Sequence, residues 1–328
     1  MENRLPFKPG SLLFAPMEGV TEESYRIAVS RAFPEWDLFA TDFLRVPSQG
    51  FYKTQKILSH FGESVYQNEA LKKKTTFQIL TSERANTIQT VELIEALGFE
   101  HLDLNLGCPS KKVNAHKGGA YLLSDLPVLR KILKDIRSHF NKCFTVKIRI
   151  GYRDTSNFED LLKLIEDEGV EAITIHGRTR DQLYRGHADW SYIKKAVELS
   201  NLPIIGNGDV WNTDDVTRMF EETGCHSVMA ARGALKTPWL ATLYRDYEGE
   251  LNEAFLMIER KKFVEIYFYE LEKEYRREGK KTENILKRFK ALSRYIFDDF
   301  DEDGLLRDSF LRSRSYNEFS DKLGSLFL

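Results

Sequence analysis

The stretch HLDLNLGCPS (101–110), followed by LPVLRKILKDIRSHF (126–140), decides the fold. An alternating apolar run stops at Gly107, puts Cys108 on a loop and turns on Pro109. The segment beyond it places apolar residues at helical spacing. One strand and one helix therefore form a unit, and the unit recurs. Further β-rich runs are SLLFAP (11–16), DLFATDF (37–43), TTFQIL (75–80), FTVKIRIG (144–151), EAITIHG (171–177), LPIIGNGD (202–209) and HSVMAARG (226–233). Helical stretches such as SERANTIQTVELIEALG, SNFEDLLKLIEDEG, WSYIKKAVELS and TDDVTRMFEETG lie between them, and several end in glycine.

Strands alternating with helices in this number predict an α/β fold, a (β/α)8 TIM barrel, over residues 1–247. No GxGxxG follows an early strand, which argues against an open dinucleotide-binding sheet. From residue 248 to 328 the strand-like runs cease. NEAFLMIERKKFVEIYFYELEKEYRRE and TENILKRFKALSRYIFDDF read as long helices, with Thr282 a candidate N-cap, and LLRDSFLRS and SYNEFSDKLGSLF as two more. A C-terminal all-helical domain is expected.

The 328 residues carry a net charge of −2, so any nucleic-acid role must rest on local basic patches. The three cysteines, Cys108, Cys143 and Cys225, form no CxxC pair; a reducing, cytoplasmic setting is expected rather than a disulfide framework. The first residues lack a secretory pattern, and no apolar run is long enough for a membrane span. His101, His116, His176 and His187 show no metal-ligand spacing, and no metal is expected.

In such a barrel the chemistry gathers at the carboxyl ends of the strands. There stand Pro16, Met17 and Glu18; Gln78; Asn105 and Cys108; Lys147 and Arg149; His176 and Arg178; Asn207, Gly208 and Asp209; Ala231, Arg232 and Gly233. Lys147 inside a strand requires an anion or acceptor; it fits a lysine aimed at a cofactor and equally one at a rim. The NGD and ARG segments fit a phosphate held by backbone N–H groups, and NGD alone also fits a plain turn. His176 fits a core histidine or a ligand contact. Cys108 fits a nucleophile, which needs a lowered pKa, or an acid, which needs the thiol kept protonated.

APMEGVT (15–21), LNLGCPS (104–110), VKIRIG (146–151), IHGRTR (175–180), GNGDV (206–210) and ARGAL (231–235), in that order, resemble the tRNA-dihydrouridine synthases. PMEGV and RFKALSRYI (288–296) resemble the bacterial C-type subgroup, which acts at position 16 of tRNA. The resemblance implies a flavoenzyme that uses FMN, and NADPH or NADH, to reduce a tRNA uridine to 5,6-dihydrouridine. It implies that Pro16, Met17, Glu18, Gln78, Lys147 and His176 surround the flavin ring. Asn207, Gly208, Asp209, Ala231 and Arg232 would hold its phosphate. Cys108 would be the catalytic acid, with Asn105 placing the uracil.

By its charges alone the basic helix fits a solvated face; the resemblance implies that it is a tRNA surface. Lys287, Arg288, Lys290 and Arg294, with Arg178 at the mouth, are the expected RNA contacts, and Lys111, Lys112 and Lys117 would add to the groove. The acidic run 298–303 would limit where the tRNA sits, or form a solvated loop. Two segments depart from the family pattern: Ala231 stands where glycine is frequent, and Leu80-Thr81-Ser82 replaces a Gly-Ser turn. A monomer is expected. The alternatives are an FMN-barrel reductase of a free pyrimidine or small enone, a non-catalytic tRNA-binding protein, and an aldolase-type barrel with Lys147 as Schiff-base lysine.

Overall fold

The computed structural model describes residues 4–245, 253–298 and 303–326. Its strands are β1 (Ser11–Phe14), β2 (Phe39–Ala40), β3 (Leu44–Arg45), β4 (Thr75–Leu80), β5 (His101–Leu106), β6 (Cys143–Arg149), β7 (Ala172–His176), β8 (Ile204–Asn207) and β9 (Ser227–Ala230). All named pairings are parallel, in the order β1-β9-β8-β7-β6-β5-β4-β2, with β3 also on β4. The sheet closes where Leu38, just before β2, bridges Leu13 of β1, and the Phe14 N–H donates to the Leu38 carbonyl at 2.8 Å. A closed parallel sheet with helices between successive strands is the (β/α)8 barrel the alternation predicts.

The stretch 37–43 does not form one strand. Its strand is only Phe39–Ala40, with Leu38 as an isolated bridge to β1, and the strand conformation resumes at Leu44–Arg45. Between them the Thr41 hydroxyl accepts the Gln78 N–H at 3.0 Å, so a side chain replaces a ladder bond and the chain bends.

Strand alternation divides the core. Leu102, Leu104, Leu106, Val146, Ile148, Ile173 and Ile175 face outward into the large apolar cluster under the helices. Phe7, Leu13, Leu38, Ile205 and Met229 form a smaller apolar cluster, and with Thr76, Gln78, His101, Asp103, Thr145 and Thr174 they line the enclosed barrel interior.

The four C-terminal helices appear at Glu253–Arg277, Thr282–Ile296, Leu305–Arg312 and Tyr316–Leu326. The expected boundary between 247 and 248 lies outside the described residues. Thr282 is the first helical residue and Lys281 holds the cap position, so the threonine is not the N-cap. The first of these helices packs on the barrel helix Glu23–Ala32: Tyr25 meets Phe263 and Tyr267 edge-on at 5.6 and 5.5 Å. Arg277 pairs with Glu23 at 2.6 Å. Phe289, Phe310 and Phe319 knit the remaining helices together. No helix among the described residues is long and apolar enough to cross a membrane.

Candidate active site

The strand register assembles the mouth. Asn105 of β5 lies opposite Lys147 of β6, Arg149 opposite His176 of β7, and His176 opposite Asn207 of β8. A cavity of about 360 Å³ opens at these strand ends. It is lined by Pro16, Met17, Glu18, Asn105, Cys108, Lys147, His176, Asn207, Gly208, Asp209, Ala231 and Arg232. These expected residues, drawn from six strand ends, therefore share one space.

Cys108 is 8% exposed and lines that space beside Pro109 and Ser110. Its loop is fixed from both sides. The Cys108 and Gly107 N–H groups donate to Asn105 Oδ1 at 3.0 and 3.1 Å, and Arg149 Nε donates to the Gly107 carbonyl at 2.9 Å. Burial pushes the thiol above its ordinary pKa; the Ser110 N–H opposes, the Glu18 charge adds to the rise, and Arg149 and Arg45 pull down without reversing it. The group is a protonated thiol at neutral pH, the state an acid requires and a nucleophile does not.

Lys147 donates to Asn207 Oδ1 at 2.7 Å. Burial, then Arg149, draw its ammonium down to about 7, with Asp103 opposing. Two of its N–H bonds remain for a further acceptor. Burial and the cations of Lys147, Arg149, Arg178 and Arg232 hold His176 well below its usual value, so the ring is neutral. Its Nδ1 is buried without a hydrogen-bond partner, and such an orphan calls for a ligand or a functional account.

The loops after β8 and β9 form a close-fitting cradle. Gly208 has φ +114°, and a Cβ there would lie 2.8 Å from that of Ala188. A Cβ on Gly233 would sit 2.2 Å from the Val210 carbonyl oxygen. Both positions thus require glycine. Ala231 has φ −114°, so the position does not need the left-handed backbone that favours glycine. Trp190 Nε1 pins the Gly208 carbonyl at 2.9 Å. The Asp209 carboxylate accepts from Arg178 at 3.0 and 2.7 Å and from the Ala188 N–H at 2.7 Å. Burial raises its pKa, and these bonds outweigh that and hold it below the ordinary value. The carboxylate is thereby neutralised next to a cradle suited to an anion. Arg232, 5.1 Å over Tyr184 and 4.8 Å over Trp211, adds a half-exposed cation.

Other expected residues fall elsewhere. Gln78 faces the enclosed interior below the mouth, where its amide nitrogen donates to Asp103 and its oxygen accepts from Asn105. Arg178 is 2% exposed and gives its nitrogens to Asp209 and to the Arg185 and Gly186 carbonyls. Its bonds shape the cradle from within the fold. On the basic helix, Arg288 donates to the Gly19 carbonyl at 2.8 Å and pairs with Glu22, tying the helix to the loop after β1. Lys290 bonds the Ser313 carbonyl within the bundle. Lys287 and Arg294 remain exposed, as do Lys111, Lys112 and Lys117 beside Cys108. In the acidic run, Asp298 pairs with Arg307 at 2.8 Å and with Lys236 at 3.4 Å; residues 299–302 lie outside the described residues.

Asp42, Phe43, Tyr184 and Trp211 also line the mouth, and the sequence did not single them out. Tyr184 and Trp211 sit on loops without periodicity, so nothing in the chain announces them. Arg149 sits two positions after Lys147, which places both on one face of β6 and gave the only signal for it.

The dihydrouridine synthase (Dus) family matches residues 13–316. The chain is 34% identical over 238 residues to the tRNA-dihydrouridine(16) synthase of Shewanella oneidensis, covering 70% of this chain and 73% of that one. It is 32% identical over 241 residues to the probable tRNA-dihydrouridine synthase of Rickettsia conorii, covering 72% and 70%. Among solved structures, morphinone reductase aligns at TM-score 0.50 and 10% identity, over 75% of this chain and 88% of that one. Histamine dehydrogenase from Rhizobium sp. 4-9 aligns at TM-score 0.51 and 11% identity, over 78% of this chain and 49% of that longer chain. At such identities the structural likeness speaks for the barrel alone.

Proposed function

The chain belongs to the dihydrouridine synthase family, and from that premise we propose that it reduces a uridine of tRNA, at position 16, to 5,6-dihydrouridine. The observation that carries this reading is a buried cysteine, its thiol pushed toward the protonated form, lining the same cavity as a lysine, a histidine and a glycine-lined cradle. The residues fit flavin mononucleotide. Lys147 has N–H bonds to spare, the buried His176 Nδ1 lacks a partner, and the Gly208 and Gly233 positions admit close backbone approach. Pro16, Met17 and Glu18 would border the ring, and Asn207 to Asp209 with Ala231 and Arg232 would hold the phosphate. A flavin held there and recharged by NADPH or NADH would supply hydride chemistry to C6 of the uracil.

Every other task falls to the chain. Cys108 holds a proton and delivers it to C5, the carbon that becomes basic as C6 is reduced. Asn105 and the cavity wall hold the ring beside the thiol, replacing the stacking the base loses when it leaves the tRNA. Lys287 and Arg294, together with Lys111, Lys112 and Lys117, supply cations for phosphates, because their charges are not spent inside the fold. Arg288 and Lys290 hold the helical part in place.

The test is to incubate the purified protein and NADPH with unmodified tRNA and to map dihydrouridine. Product at position 16 is expected. Reduction of free uridine or of a small enone, with tRNA untouched, would overturn the reading and select a small-molecule reductase.

A further inference from the structure

The barrel interior beneath the mouth is crossed by an unbroken chain of buried polar groups. The Thr76 hydroxyl lies 2.7 Å from His101 Nδ1, and His101 Nε2 lies 2.9 Å from Thr145 Oγ1. Thr145 Oγ1 donates to Asp103 Oδ1 at 2.6 Å. Gln78 Nε2 donates to Asp103 Oδ2 at 2.8 Å, and Asn105 Nδ2 donates to Gln78 Oε1 at 2.9 Å. Asn105 Oδ1 then receives the Gly107 and Cys108 N–H groups. All six side chains are less than a tenth exposed. Apolar residues would fill this space at lower cost, since buried polar groups destabilise unless all are satisfied.

Only one donor pattern satisfies the chain. Backbone N–H groups at the Cys108 end can only donate, so Asn105 must turn its oxygen to them and its nitrogen to Gln78. Burial raises Asp103 to about 6 against the opposing Thr145 and Gln78 bonds, which leaves it mostly ionised at neutral pH; an ionised carboxylate can only accept, so Gln78 must turn its nitrogen to Asp103 and its oxygen to Asn105. The two carboxamides are thus held from both ends. Asn105, which lines the cavity, keeps its second amide hydrogen uncommitted among the described residues. We infer that Asp103 is a positioning residue: acting through Gln78, it orients Asn105 so that one amide atom anchors the Cys108 loop and an N–H donor is offered to a pyrimidine carbonyl in the cavity. The inference rests on the proposed function for the nature of that carbonyl, and on hydrogen-bond geometry alone for the anchoring of the thiol.

The test is Asp103→Asn in the holoenzyme. An amide there can donate as well as accept, which frees Gln78 and Asn105 to flip. Misplacement of a reacting group by about 1 Å costs roughly 100-fold, so the single-turnover rate with tRNA should fall roughly 10- to 100-fold, with KM for tRNA unchanged. Alkylation of Cys108 by iodoacetamide, followed on its peptide in protein without tRNA, should speed up several-fold while Cys143 and Cys225 stay protected. On a Gln78→Leu background, Asp103→Asn should add no further loss. A parental rate with parental alkylation overturns the inference, as does a full additional loss on the Gln78→Leu background. Should Asp103→Asn not fold, Thr145→Val removes one bond to the carboxylate and must shift both readouts in the same direction; no shift overturns the inference. If the parental protein makes no dihydrouridine, the functional reading fails by itself and the alkylation comparison still decides the anchoring.

Discussion

The barrel mouth and the helix Thr282–Ile296 both present charged side chains in patterns that suggest contact with a ligand, yet the fold uses them differently. At the mouth, the strand register brings Lys147, His176, Asn207 and Cys108 into one cavity. On the helix, neighbouring cations part company: Arg288 and Lys290 bond Gly19 and Ser313, while Lys287 and Arg294 stay in solvent. A strand end points its residues at one shared axis, so sequence position nearly fixes function. A helix surface faces whatever packs against it, and a basic run says nothing of which cations are already spent.

Short of the thiol itself, the largest effect that would sharpen this contrast is expected at Arg178. Breaking a buried ion pair by removing one partner costs up to about 3–5 kcal/mol, and Arg178→Ala leaves Asp209 with only Arg232 at 3.3 Å and the Ala188 N–H beside the anion cradle. The denaturation midpoint should drop and bound flavin should be lost; an unchanged midpoint and a full flavin complement would mean that Arg178 does not hold the mouth. Next comes Lys147→Met. A hydrogen bond from a charged group contributes about 1.5–3 kcal/mol, so the flavin Kd measured by fluorescence titration should rise roughly 10- to 100-fold. An unaltered Kd would confine Lys147 to its bond with Asn207.

The pH profile follows in size. The folded thiol of Cys108 titrates above its ordinary value because it is buried. With flavin held saturating, so that Lys147, drawn down to about 7, does not limit loading, the single-turnover rate should hold through neutral pH and decline on the alkaline side, as the proton to be delivered is lost. A rate that instead rises with pH would point to a thiolate nucleophile. The smallest effect is expected on the helix. Lys287→Ala with Arg294→Ala should weaken tRNA binding and reduce its salt slope by roughly one for each phosphate left without its cation. Lys290→Met should leave that slope unchanged and lower the thermal midpoint. Equal slopes for the two variants would erase the distinction between spent and free cations.

The sequence shows the barrel because a two-residue period, glycine stops and intervening helical spacing agree with one another. It shows Cys108, Lys147 and the NGD and ARG segments because each ends or lies on a strand whose direction is known. It could not show Arg178 as a scaffold. The partner, Asp209, lies 31 residues on, and the other acceptors are loop carbonyls. Nor could it divide the basic helix, because the acceptor of Lys290 is a carbonyl 23 residues away. The bend at Thr41 escaped for a related reason: a hydroxyl taking the place of a ladder bond leaves the strand-like composition of 37–43 intact. The buried chain through Asp103 is the converse case. Its members are visible as polar residues within strands, but their connection depends on the register of β4, β5 and β6.

The account stands most directly on the proton that Cys108 delivers. Cys108→Ala, loaded with flavin and reduced to the same extent as the parent, should convert tRNA in a single turnover about 10²- to 10⁴-fold more slowly, with flavin binding intact. Dihydrouridine formed at the parental rate by the alanine variant would contradict it.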